Sequence, residues 1–112
     1  MPSSHHWKRN DTVPITGTLI KNRAAVDIEN ASLRFLMKRS NGELVVDATA
    51  SNDQVSDGSD DSKGRWSYTP DASETATSGR YHAEVEATYA DGTVETFPNK
   101  GFFRVTIGDD LA

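Results

Sequence analysis

Four aspartates, Asp53, Asp57, Asp60 and Asp61, fall within nine residues of a stretch rich in Asp, Ser and Gly. Carboxylate oxygens converging from a flexible loop are what a hard cation such as calcium takes as ligands. Their spacing does not match an EF-hand loop, and such compositions are ordinary in exposed connections. Residues 51–63 therefore read as a solvated loop, with these four as a weak calcium candidate. His82 would need a nucleophile and an oxyanion site in fixed geometry to serve as a catalytic base. No nucleophile-elbow sequence accompanies it, and it falls on the wet face of its strand. His5 and His6 stand next to each other, and adjacent side chains do not converge on one metal without further ligands. They are given no role.

The aromatic residues raise a second possibility. Trp7, Trp66, Tyr68, Tyr81 and Tyr89 would suit a sugar-stacking platform, since each ring has an apolar face and a polar handle. Trp66 and Tyr68 are two residues apart, and Tyr81 and Tyr89 share the apolar face of their strand, so these four read as core. Trp7 lies in a polar N-terminal stretch, where it would either anchor a neighbouring subunit or pack on its own sandwich. Trp7, Lys8, Arg9 and Asp11 are taken as the candidate interface. No catalytic residue and no cofactor is assigned, and the chain is read as not an enzyme. A glycoside hydrolase would need two carboxyls across a cleft that a 112-residue sandwich has little room to build.

The elements that must position these residues are strands. Tyr81, Ala83, Val85, Ala87 and Tyr89 alternate with Arg80, His82, Glu84, Glu86 and Thr88 at period two, as in a long strand with one buried and one wet face. Asp91-Gly92 follows, and residues 93–97 resume an extended pattern, so the pair reads as a hairpin. Leu33, Phe35 and Met37 alternate with Arg34, Leu36 and Lys38, Asn41-Gly42 supplies a second tight turn, and residues 43–50 run back with Leu44, Val46 and Ala48 on one face. Further strands are expected at 16–21, 65–69 and 102–107. Asp71 and Glu74 resemble a capping pair that would support one helical turn in residues 70–78. About seven strands with regular turn signals predict an all-β, immunoglobulin-like antiparallel sandwich. The expected domain spans residues 11–108, between a flexible N-terminal arm, 1–10, and a tail, 109–112.

One domain of this size buries roughly two thirds of the surface its unfolded chain exposes, enough for a core without staples. That matters because there is no cysteine, which suits a reducing compartment. With 12 basic against 17 acidic residues the formal charge is −5, which argues against nucleic acid or an anionic membrane as partner. The apolar runs are far short of the roughly 20 residues that span a bilayer, and the N-terminus carries no secretion signal.

The order of motifs is Asn10-Asp11-Thr12 with Pro14, then Val26-Asp27-Ile28 before Ala31-Ser32-Leu33-Arg34-Phe35, then Gly64 with Tyr68. Gly79, Arg80, Tyr81 and the alternating residues to Glu86 follow, and the set ends on Tyr89, Asp91-Gly92 and Phe97-Pro98-Asn99. This set resembles the immunoglobulin-like domain at the N-terminus of phage upper baseplate proteins and of other phage tail and prophage proteins, over residues 7–108. The resemblance implies a non-catalytic bacteriophage virion structural protein, in tail, baseplate, neck, collar or capsid decoration. It would be assembled in the host cytoplasm and docked in multiple copies on other virion proteins in a symmetric assembly. The chain ends at Ala112 with no receptor-binding region, which favours an adaptor. The alternative is a carbohydrate-binding or host-adhesion module on the virion surface. Residues 2–11 and 108–112 are expected to order on assembly.

Overall fold

Alternation at period two is what a sheet with one wet face demands, and it governs the residues described by the computed structural model, 4–55, 61–98 and 103–109. Among them the strands are β1 (Ser4–Lys8), β2 (Ile15–Thr18), β3 (Ile20–Lys21), β4 (Ala24–Ala25) and β5 (Ser32–Arg39). They continue with β6 (Leu44–Asn52), β7 (Arg65–Tyr68), β8 (Gly79–Thr88), β9 (Val94–Phe97) and β10 (Phe103–Gly108). The described residues form an all-β sandwich and contain no helix, so none is long and apolar enough to cross a membrane.

Strand order in the main path is β1-β10-β8-β5-β6-β7-β2. The long strand β8 organises it. One edge of β8 pairs with β5, from Tyr81 opposite Arg39 to Thr88 opposite Ser32. The other edge is shared: residues 79–83 take β10 and residues 85–88 take β9. The strand β6 passes between layers, pairing with β5 from Leu44 to Ala50 and with β7 at Ser51 and Asn52. The path thus curls over its own inner face, as strands that change sheet at a corner do. The small β3–β4 hairpin turns on Asn22 and Arg23, both at positive φ.

The inner face carries the core. Leu33, Phe35 and Met37 of β5, Tyr81, Ala83, Val85 and Ala87 of β8, and Val105 and Ile107 of β10 are buried, as their alternation predicts. Trp66 and Tyr68 join them, and the Asp91-Gly92 hairpin forms with Gly92 in the left-handed region. Gly64 also sits there, at φ +78°, with the space a Cβ would need only 2.8 Å from the Leu19 carbonyl oxygen. Glycine is required at that crossing.

Three expectations are corrected. Leu44 is 48% exposed, because a bulge between Met37 and Lys38 shifts the register by one residue and sets Leu44 opposite Lys38 on the outer face. Residues 71–75 form a hydrogen-bonded turn and no helix: Glu74 N–H donates to the Asp71 carbonyl, and Asp71 N–H donates back to Glu74 Oε1. Finally, residues 4–8 are not a flexible arm. They form β1, paired parallel to β10 from Ser4 opposite Arg104 to Lys8 opposite Gly108.

The N-terminal strand is held by side chains as well. Trp7 is 3% exposed, and its Nε1–H donates to the Val13 carbonyl at 2.8 Å. Buried Thr75 donates its hydroxyl to the Asp11 carbonyl, and Asn10 N–H donates to the Thr75 carbonyl. Replacing Trp7 with Ala should therefore lower the unfolding free energy by about 3–5 kcal/mol, read as an earlier urea midpoint. Deleting residues 1–10 should leave no cooperative transition. A truncated chain with the full-length midpoint would show that β1 is dispensable.

Candidate functional site

The curled sheet stops short of closing. Its end strands, β1 and β2, each keep one edge to which no strand is paired among the described residues. Both line a cleft of about 90 Å³ whose floor is built by Trp66 of β7 and Phe103 of β10. Ser4 and His5 of β1 and Arg104 of β10 also line it; His5 packs edge-to-face on Trp7 with ring centroids 4.8 Å apart, while Ser4, His6 and Lys8 are exposed.

The floor is fixed by stacking. Tyr68 lies on Phe35 with centroids 4.7 Å apart and planes 9° from parallel. Phe35 continues to Trp66 at 5.9 Å, and Trp66 to Phe103 at 5.9 Å. Gly17 of β2 makes room for this indole, since a Cβ there would stand 2.9 Å from Trp66 Nε1 and 3.1 Å from Cε2. A glycine inside a strand often marks such a close approach.

Two ring nitrogens at the cleft are buried without a hydrogen-bond partner, His5 Nε2 and Trp66 Nε1. An unmet buried polar group costs about 1–3 kcal/mol. The indole N–H favours a group that brings an acceptor oxygen, and the neutral imidazole offers a donor or an acceptor at Nε2 according to its tautomer. Burial, and secondarily the neighbouring His6, lowers the pKa of His5 from its ordinary value. Elsewhere, burial first and a 2.6 Å hydrogen bond to Glu74 second push the Tyr68 phenol far above its usual range. Tyr89 is pushed up to about 12 by burial and its bond to Glu95.

The candidate interface set is dispersed by these placements. Trp7 is spent on the core and does not stand out as an anchor, because β1 needs an apolar residue over the open end of the sandwich. Lys8 and Asp11 close a turn on each other, Lys8 N–H donating to Asp11 Oδ2 and Asp11 N–H to the Lys8 carbonyl. Arg9 pairs with Asp109 at 3.7 Å on the surface. Of the calcium candidates, Asp57 and Asp60 lie outside the described residues. Asp53 accepts the Ser51 hydroxyl at 2.6 Å, and no group of three or more potential metal ligands occurs among the described residues. His5, given no role from the sequence, and Gly17, not singled out there, are the residues that shape the cleft with Trp66.

Two outcomes follow. Gly17→Ala should displace the indole and cost about 1–3 kcal/mol, with a shift in tryptophan emission; unchanged emission and midpoint would show that Trp66 has slack. A histidine whose folded pKa is depressed binds fewer protons folded than unfolded, so its contribution is present above the unfolded value, about 6.5, and is lost as pH falls toward the folded one. The melting temperature should decline as pH drops below that value, and His5→Gln should flatten the decline. Equal slopes in both proteins would place the pH sensitivity elsewhere.

No family model matches the chain, and no curated protein matches it. Among solved structures it is similar to CopC from Methylosinus trichosporium OB3b, at 18% identity, covering 98% of this chain and 88% of that one, with a TM-score of 0.48. Neither the family models nor the curated proteins support the resemblance to phage tail and baseplate domains. The assignment to a bacteriophage virion, both as structural component and as location, is accordingly corrected and withdrawn. Nothing of CopC's role is carried over to this chain.

Proposed function

We propose that the protein is a non-catalytic binding module that takes an extended segment of a partner protein at the seam between β1 and β2. One acceptor-bearing group of that segment enters the cleft, to Trp66 Nε1 and His5 Nε2. The observation that carries this reading is the coincidence, at one place, of two unpaired strand edges and two buried ring nitrogens without partners. Strand addition to a free edge gives affinity through main-chain hydrogen bonds, with alternate side chains supplying specificity.

Size decides between occupants. Pockets that enclose small molecules run to about 300–1,000 Å³, and this cleft is about 90 Å³. It suits one group of a larger partner. A sugar platform is not favoured, because the large exposed hydrophobics among the described residues are Val13, Ile20, Leu44, Val55 and Val94, none of them aromatic. The immunoglobulin-like type of sandwich belongs to this reading, supported by the β5–β6 and β8–β9 hairpins and the crossovers between them.

Selection of a random peptide library against the intact protein tests it. Enriched peptides should change Trp66 emission, slow amide exchange along β1 or β2, and bind at least about tenfold more weakly to a Gly17→Val variant that fills the cleft. A library that yields no binder, or binders that protect other strands, would overturn the seam as the site.

A further inference from the structure

The outer face of the sheet separates its charges. In β8 the outward residues are Arg80, His82, Glu84 and Glu86, and in β10 they are Arg104 and Thr106. Register sets them in rows. Arg104 lies opposite His82, and His82 lies opposite Lys38 of β5. One row beyond, Arg80 lies opposite Thr106, which in turn neighbours His6 of β1. Three formal cations and two histidines thus share one end of a face, in a chain whose net charge is −5.

Arg9, Lys21, Arg34 and Arg39 hold ion pairs with Asp109, Glu95, Asp47 and Glu43. Lys38, Arg80 and Arg104 are all exposed. The nearest carboxylates in register are Glu84, on the next row, and Asp47, which Arg34 holds at 2.6 Å. A shallow concavity is lined by Arg80, His82, Arg104 and Thr106, and a second, beside it, by Lys38, His82 and Glu84. His82 borders both.

Residues directly opposite on neighbouring strands have Cβ atoms about 4.5–5.5 Å apart, and diagonal ones stand about 7–8 Å apart. The forks of Arg80 and Arg104, a diagonal pair, therefore reach a common point above Thr106 and His82. Like charges so placed repel each other. An oxyanion between them relieves that repulsion and accepts paired hydrogen bonds from each planar guanidinium, a geometry that suits phosphate and sulfate. We propose that Arg80, His82, Arg104 and Thr106, with Lys38 alongside, form a binding site for a phosphate or sulfate group carried on a small soluble ligand. This site lies on the outer face and shares Arg104 with the rim of the seam cleft.

Inorganic pyrophosphate is the probe, titrated into the full chain at low ionic strength and followed by amide chemical shifts, with acetate at matched ionic strength as the control. Saturating shifts centred on residues 80–82 and 104–106 are expected with pyrophosphate and not with acetate. The double variant Arg80→Gln, Arg104→Gln should bind at least about tenfold more weakly, and Arg104→Lys, which keeps the charge and loses the fork, should also weaken binding. Shifts that do not saturate, that acetate reproduces, or that persist with unchanged affinity in the double variant would overturn the site. Binding seen only with vesicles containing an anionic phospholipid would overturn the soluble ligand.

Discussion

The stack of rings from Tyr68 through Phe35 and Trp66 to Phe103 is the contact on which the other features depend. It ties β7, in one layer, to β5 and β10 in the other. Offset aromatic pairs contribute about 0.5–1.5 kcal/mol each beyond the area they bury. Three such pairs in series also set direction, because flat rings cannot slide past one another without opening a void in a close-packed interior. The last pair of the series, Trp66 and Phe103, lines the gap between β1 and β2. The shape of the cleft is therefore a consequence of core packing, with Gly17 cut to fit the indole.

The cleft exists because the sheet curls without closing. The end strands are short, five residues in β1 and four in β2, and brevity is one of the ways natural sheets blunt an unpaired edge. Packing demands that β1 turn Trp7 inward, and alternation then forces His5 inward too, two residues along. A polar ring arrives where the core thins toward the rim. Its half-burial, the absence of a partner on Nε2 and its depressed pKa share that single origin.

Charge is arranged by the same alternation on the opposite face. Towards one end Arg34 is matched with Asp47, and Glu84 and Glu86 lie close by in register. Towards the other, Lys38, Arg80 and Arg104 gather. Exposed ion pairs contribute roughly 0–1 kcal/mol each, so stability does not dictate this division. Its consequence is a local field of positive sign on a molecule of negative net charge, and such a field is strongest at low salt.

Much of the fold was legible in the sequence. Period two marked β5 and β8, and Asn41-Gly42 and Asp91-Gly92 marked their hairpins, because local sterics determine strands and tight turns. A motif set that includes Asp91-Gly92 resembled a phage family, and the virion role drawn from it did not hold, because a fold carries no function by itself. Three things were decided only in the tertiary structure. Polar flanking residues made residues 1–10 look like an arm, but Trp7 finds its core in strands some hundred residues away. Leu44 fit the inward alternation until a bulge turned it out. His5, Gly17 and Trp66 are separated by up to 61 positions, and no local spacing signals that they meet. Sequence by itself determined which residues alternate. Which edges stayed open, and which side chains face one another across them, followed from the curl of the sheet, a property of all the strands packed together.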